Sequence, residues 1–185
     1  MIARQLVPVL LTALLSAGGL ASAPAQAATE VFDDPARDSA ARGADLVKVR
    51  VANKRRSIRV MSFHRNIRQG IPASISVELD IDPRRRGPEL GIGTSLGGDS
   101  DWQLRRMRGS RYVGPPLLCP TTLALNYQRD TSRFTIQRSC LRRWRKARVR
   151  VEASYLVVNR ATGTGRSFSD YVPSKHGFTS WIRRG

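Results

Sequence analysis

The residues best suited to chemistry in this chain are its carboxylates. Asp34 and Asp38 stand near the start and Asp170 near the end, and calcium takes oxygen ligands of this kind. If the fold joins the two ends, the three could hold such an ion. Otherwise they are solvated loop aspartates paired with some of the abundant arginines. A second group, Glu78, Asp80 and Asp82, alternates with apolar residues. On a strand these would share one face, with neighbours about 6 to 7 Å apart. That separation suits a glycosidase pair, but catalytic carboxylates flank a cleft from opposite walls, so adjacent groups serve hydroxyl or ion binding better. Trp102 joins them as an aromatic able to stack on a sugar ring. With Tyr127, Tyr155 and Trp181 it sits at alternating positions that suit a core better than a stacking platform.

Other chemistry is poorly supplied. Gly93-Thr94-Ser95-Leu96-Gly97 matches a nucleophile elbow, with Asp170 and His176 following in the order of a hydrolase triad. An elbow needs a helix directly after the serine, whereas Gly97-Gly98-Asp99-Ser100-Asp101 reads as a turn. A secreted hydrolase is therefore the weakest of the readings. Only His64 and His176 are available as imidazole ligands, and no paired Cys motif exists, so a zinc site is not expected. Basic clusters recur at 54–56, 84–86, 105–111 and 142–146, and the net charge is +18. Such a surface attracts polyanions to some degree, and Tyr112 and Trp144 interleave it in the manner of single-strand binders. The clusters sit in separate turns, however, and a solvated arginine-rich face explains them as well.

The elements that would position these groups are strands. Val47, Val49 and Val51 alternate with Lys48 and Arg50, and a second strand is expected from Ser57 to about Phe63. Ile75, Val77, Leu79 and Ile81 oppose Ser76, Glu78, Asp80 and Asp82, the cleanest alternation in the chain. Short strands follow at Leu90 to Ser95 and Trp102 to Met107. Centring a hairpin on Arg129-Asp130 sets Leu125 opposite Phe134, Leu123 opposite Ile136 and Cys119 opposite Cys140. The two cysteines, in an oxidising compartment, are expected to form one disulfide. A helical turn at Leu141 to Ala147, a strand from Val149 to Val157, a loop from Asn159 to Arg166 and a last short strand or two complete the pattern. The whole predicts an all-β, two-sheet antiparallel sandwich.

Several short motifs carry a family likeness. Phe32-Asp33-Asp34-Pro35-Ala36-Arg37-Asp38, Ala44-Asp45-Leu46-Val47-Lys48-Val49, Val77-Glu78-Leu79-Asp80-Ile81-Asp82 and Ser169-Asp170-Tyr171-Val172-Pro173 before Phe178-Thr179-Ser180-Trp181 resemble secreted actinobacterial proteins of the DOMON-like group. That group is akin to family nine carbohydrate-binding modules. The resemblance implies a jelly-roll-like sandwich that binds sugar or haem. This chain shows no Met and His pair placed like haem ligands and no tryptophan pair forming a sugar clamp.

The start of the chain bounds the setting. Arg4, an apolar run from Leu6 to Leu20 and Ala25-Gln26-Ala27 follow the order of a signal peptide, with cleavage expected after Ala27. No later segment is apolar enough to span a bilayer. Residues 28–43 read as an extended arm and 44–185 as the sandwich domain. The expectation is a secreted, non-enzymatic binding module for carbohydrate or another wall-associated ligand. The alternative is a basic extracellular protein that binds anionic polymers. No cofactor is required, although calcium is a candidate.

Overall fold

A computed structural model of the chain describes residues 28–35, 37–39, 42–98, 101–141 and 144–185. The expected leader, residues 1–27, lies outside the described residues. The strands are β1 (Ala28–Asp33), β2 (Leu46–Asn53), β3 (Ser57–His64), β4 (Ala73–Asp80), β5 (Leu90–Ser95), β6 (Arg105–Arg108), β7 (Arg111–Val113), β8 (Thr121–Asn126), β9 (Thr131–Gln137), β10 (Lys146–Val158), β11 (Gly165–Val172) and β12 (Ile182–Arg183). They form two antiparallel sheets, ordered β1-β2-β3-β9-β8 and β11-β10-β4-β5-β6-β7, with β12 beside the start of β10. No described helix is long and apolar enough to cross a membrane.

The core lies between the sheets because each strand turns alternate residues inward. From the first sheet come Val49, Val51, Ile58, Val60, Phe134 and Ile136; from the second come Ile75, Val77, Leu79, Ile92, Val149 and Val151, all buried. The β-branched residues among them suit a pleated, half-buried surface, and burying each such side chain stabilises by about 1.5–3 kcal/mol. In β10 the inward set Ala147, Val149, Val151 and Ala153 alternates with the outward set Arg148, Arg150, Glu152 and Ser154.

Four expectations need correction. The arm is ordered sooner than its composition suggests, because residues 28–33 form an edge strand paired with β2, Ala28 opposite Asn53 and Asp33 opposite Lys48. Its own residues show no apolar–polar alternation to announce a strand; β2 offers the unpaired edge. The hairpin pairs Leu123 with Phe134 and Leu125 with Ser132, two residues away from the expected register. A four-residue loop, 127–130, replaces the tight turn. Asn126 Oδ1 accepts the Arg129 N–H, and Asp130 adopts a φ of 49°. The expected strand from Trp102 starts only at Arg105, and the helical turn is a 3-10 turn at Arg138–Leu141.

The disulfide is present. Cys119 and Cys140 are bonded with Cα atoms 5.6 Å apart, just beyond the β8–β9 ladder. The Gln137 N–H to Pro120 carbonyl bond closes the ladder beside it.

Candidate functional site

The outward face of β4 carries two of the carboxylates singled out from the sequence, and both are spent on neighbours. Glu78 lies opposite Arg150 and accepts its guanidinium at 2.5 Å. Asp80 lies opposite Arg148 and accepts it at 2.6 Å. Burial raises both carboxyls above their usual range while the arginines pull the other way. Phe178 and Trp181 cover the same guanidiniums, with Trp181 4.8 Å from that of Arg148. This is a paired cation–carboxylate–aromatic layer, and a substrate would have to break ion pairs to reach the carboxylates. Asp82 leaves the face, since β4 ends at Asp80 and Asp82 instead caps the following loop by accepting the Arg84 backbone and side chain. Trp102 lies ahead of β6, exposed. The four residues therefore do not converge.

The three aspartates from the chain ends do converge. One carboxylate oxygen each from Asp34, Asp38 and Asp170 lies within 4.8 Å of the others. Asp34 directly follows β1, its N–H bonded to the Val47 carbonyl at 3.1 Å. Asp170 sits on β11 opposite Ala153 and accepts the N–H groups of Leu46 and Tyr171, both at 2.7 Å. Asp45 holds the intervening loop by accepting the Arg37 and Ser39 N–H groups. Burial, and then repulsion from Asp170, Asp38 and Asp45, pushes the Asp34 carboxyl up to about 7. These oxygens are the ligands a hard cation takes.

The serine of the elbow-like motif does structural work. Ser95 ends β5, where its hydroxyl donates to the Ala73 carbonyl and accepts the Gly97 N–H at 3.0 Å. Gly97 is required for packing, because a Cβ there would sit 2.5 Å from the Ile71 carbonyl oxygen.

A cleft of about 610 Å³ opens where the β3–β4 connection meets the β8–β9 turn. Asn66, Gln69, Asn126 and Gln128 line it, with Arg68 and Asp130 at its wall and Ile67, Leu125 and Tyr127 supplying the apolar part. Asp130 joins the two loops: its side chain accepts the Ile67 N–H at 2.9 Å, and its carbonyl accepts the His64 N–H at 2.8 Å. Gly70 then donates to the Gly97 carbonyl at 2.7 Å, anchoring the exit of the loop. The Asn66 and Asn126 amide oxygens already accept from Arg68 and Arg129, while the Gln69 and Gln128 amides carry both donors and acceptors, the combination that meets a hydroxyl group in either role. The cleft is open rather than enclosed, so a ligand would lie along it. The sequence reading missed this cleft, although two of the chain's four asparagines and two glutamines flank turns that it placed. Nothing in that spacing discloses that the two turns meet. In comparisons with known proteins, no family model matches the chain, and neither a curated protein nor a solved structure gives a significant match.

Proposed function

We propose that the chain is a secreted, non-enzymatic binding module that takes carbohydrate in the amide-lined cleft. The observation that carries the reading is that Asn66, Gln69, Asn126 and Gln128 line one cleft where two loops meet. Sugar hydroxyls need donor–acceptor pairs, and the amides of this cleft supply them. The resemblance of the chain's short motifs to the DOMON-like group points the same way. A leader that ends in Ala25-Gln26-Ala27 supports export to where such ligands occur.

Isothermal titration with a panel of neutral oligosaccharides tests the proposal. Each amide hydrogen bond contributes about 0.5–1.5 kcal/mol, so Gln69→Ala/Gln128→Ala should weaken the best ligand roughly tenfold or more. Both residues are exposed, so the melting temperature should hold. Equal affinity in wild type and double variant, or no binding to any member of the panel, would overturn the reading.

A further inference from the structure

A second cleft, of about 730 Å³, carries a different chemistry. Arg84 lines it from the β4–β5 connection, Trp144, Arg145 and Lys146 from the entry to β10, and Arg183 and Arg184 from the end of β12 and the residue after it. Of the five cations, Arg84 has a carboxylate partner, Asp82 at 3.2 Å. Among the described residues, no carboxylate lies within ion-pair distance of Arg145, Lys146, Arg183 or Arg184.

The backbone that carries these cations is held by a framework of hydrogen bonds. Arg138 donates to the carbonyls of Trp144, at 3.2 Å, and Lys54, and to Asn53 Oδ1 at 2.6 Å. Asn53, fully buried, donates in turn to the Ile182 carbonyl at 2.8 Å. The Arg184 N–H reaches the Arg145 carbonyl at 2.6 Å, and the Trp144 N–H reaches that of Leu141 at 3.3 Å. Cys140, bonded to Cys119, lies in the same 3-10 turn as Arg138. Burial and then the charge of Arg184 press the Arg138 guanidinium below its ordinary value, so the like charges are crowded here in a way that a bound anion relieves. The Trp144 ring is half-buried against the core, and the Arg84 guanidinium lies over it, 5.5 Å from its centroid. That ring is not offered as a platform for a nucleobase.

We infer that this cleft is a site for an anionic polysaccharide strand, its acid groups meeting Arg145, Lys146, Arg183 and Arg184. The anion contacts stand on the geometry above, while the polysaccharide character of the partner rests on the sugar-binding reading. A cluster of arginines carried on a braced backbone suits carboxylates spaced along a chain, because each guanidinium presents a planar fork.

The test uses polygalacturonate as the anionic probe, with a neutral oligosaccharide and single-stranded DNA alongside. Arg145→Gln/Arg184→Gln is compared with Arg111→Gln/Arg160→Gln, which removes the same charge from exposed sites outside the cleft. The cleft variant should bind polygalacturonate on the order of tenfold more weakly at low salt. Its slope of log affinity against log salt should fall by about one per cation removed, with neutral-sugar binding unchanged. Equal losses in both variants would reduce the effect to net charge and overturn the site. Tighter binding of DNA than of polygalacturonate would overturn the polysaccharide assignment. Cleft-dependent polygalacturonate binding without any neutral-sugar binding would uphold this site and remove the reading of the amide-lined cleft instead.

Discussion

His64 and Asp34 are opposite cases of a side chain held away from its ordinary titration. His64 ends β3, buried, with Nε2 2.9 Å from the Ser132 hydroxyl. Burial lowers its pKa from 6.5 to about 4. Below pH 6.5 the unfolded chain therefore binds a proton that the folded chain refuses until about pH 4, so this residue's contribution is lost as pH falls through that window. By pH 5 the loss should reach about 2 kcal/mol, read by urea unfolding as the difference in pH dependence between wild type and His64→Gln. Parallel curves for the two proteins would show that the imidazole titrates normally. Asp34 has the reverse sign. Its folded pKa is raised to about 7, so the folded chain holds the extra proton and stability falls as pH rises from about 4 to about 7. Asp34→Asn in chelator-treated protein should raise the melting temperature at pH 7.5 and leave it unchanged at pH 4. Millimolar calcium should raise the wild-type transition by mass action and leave the variant's alone. A wild-type transition indifferent to calcium would mean that the cluster holds no ion. Asp34, Asp38 and Asp170 could be singled out as oxygen ligands from their type and their place near the two ends, but their meeting depends on β1 and β11 both lying beside β2, which spacing does not disclose. The fate of Asp82 was not legible, since its alternation continued past the point where Arg84 draws the chain into a loop.

At the scale of the strands, apolar alternation disclosed faces but not registers. The expected β8–β9 pairing was two residues out, and a shift of two leaves every side chain on the same face, so Leu123, Leu125, Phe134 and Ile136 could not discriminate between the two. The decision lies in the loop, where Asn126 caps the turn and Asp130 takes a left-handed conformation. β1 was illegible for another reason: its pairing is supplied by the edge of β2 rather than by its own periodicity. The disulfide survives the register change because Cys119 and Cys140 lie outside the ladder. It spans 21 residues, for which closing the loop is worth about 3 kcal/mol. Cys119→Ala/Cys140→Ala should lower the unfolding free energy by about that amount, measured by denaturant titration. An unaltered midpoint and slope would show that the bond does not restrain the unfolded chain.

For the whole molecule, the two-sheet sandwich followed from many short alternating segments separated by turns, and that level was the most legible. The sheet order β1-β2-β3-β9-β8 was not, because periodicity says nothing about which strand crosses from one sheet to the other. Both clefts depend on such crossings. The amide-lined cleft needs the β3–β4 and β8–β9 loops at one end of the sandwich, and the basic cleft needs β12 beside β10. The central claim, that sugar binds between the two loops, is tested most directly by mapping amide chemical-shift changes during titration with the tightest neutral oligosaccharide. The account predicts perturbations concentrated at residues 66–69 and 125–130, with the outward face of β4 around Glu78 unmoved. Perturbations centred on Glu78 and Asp80 instead would contradict it.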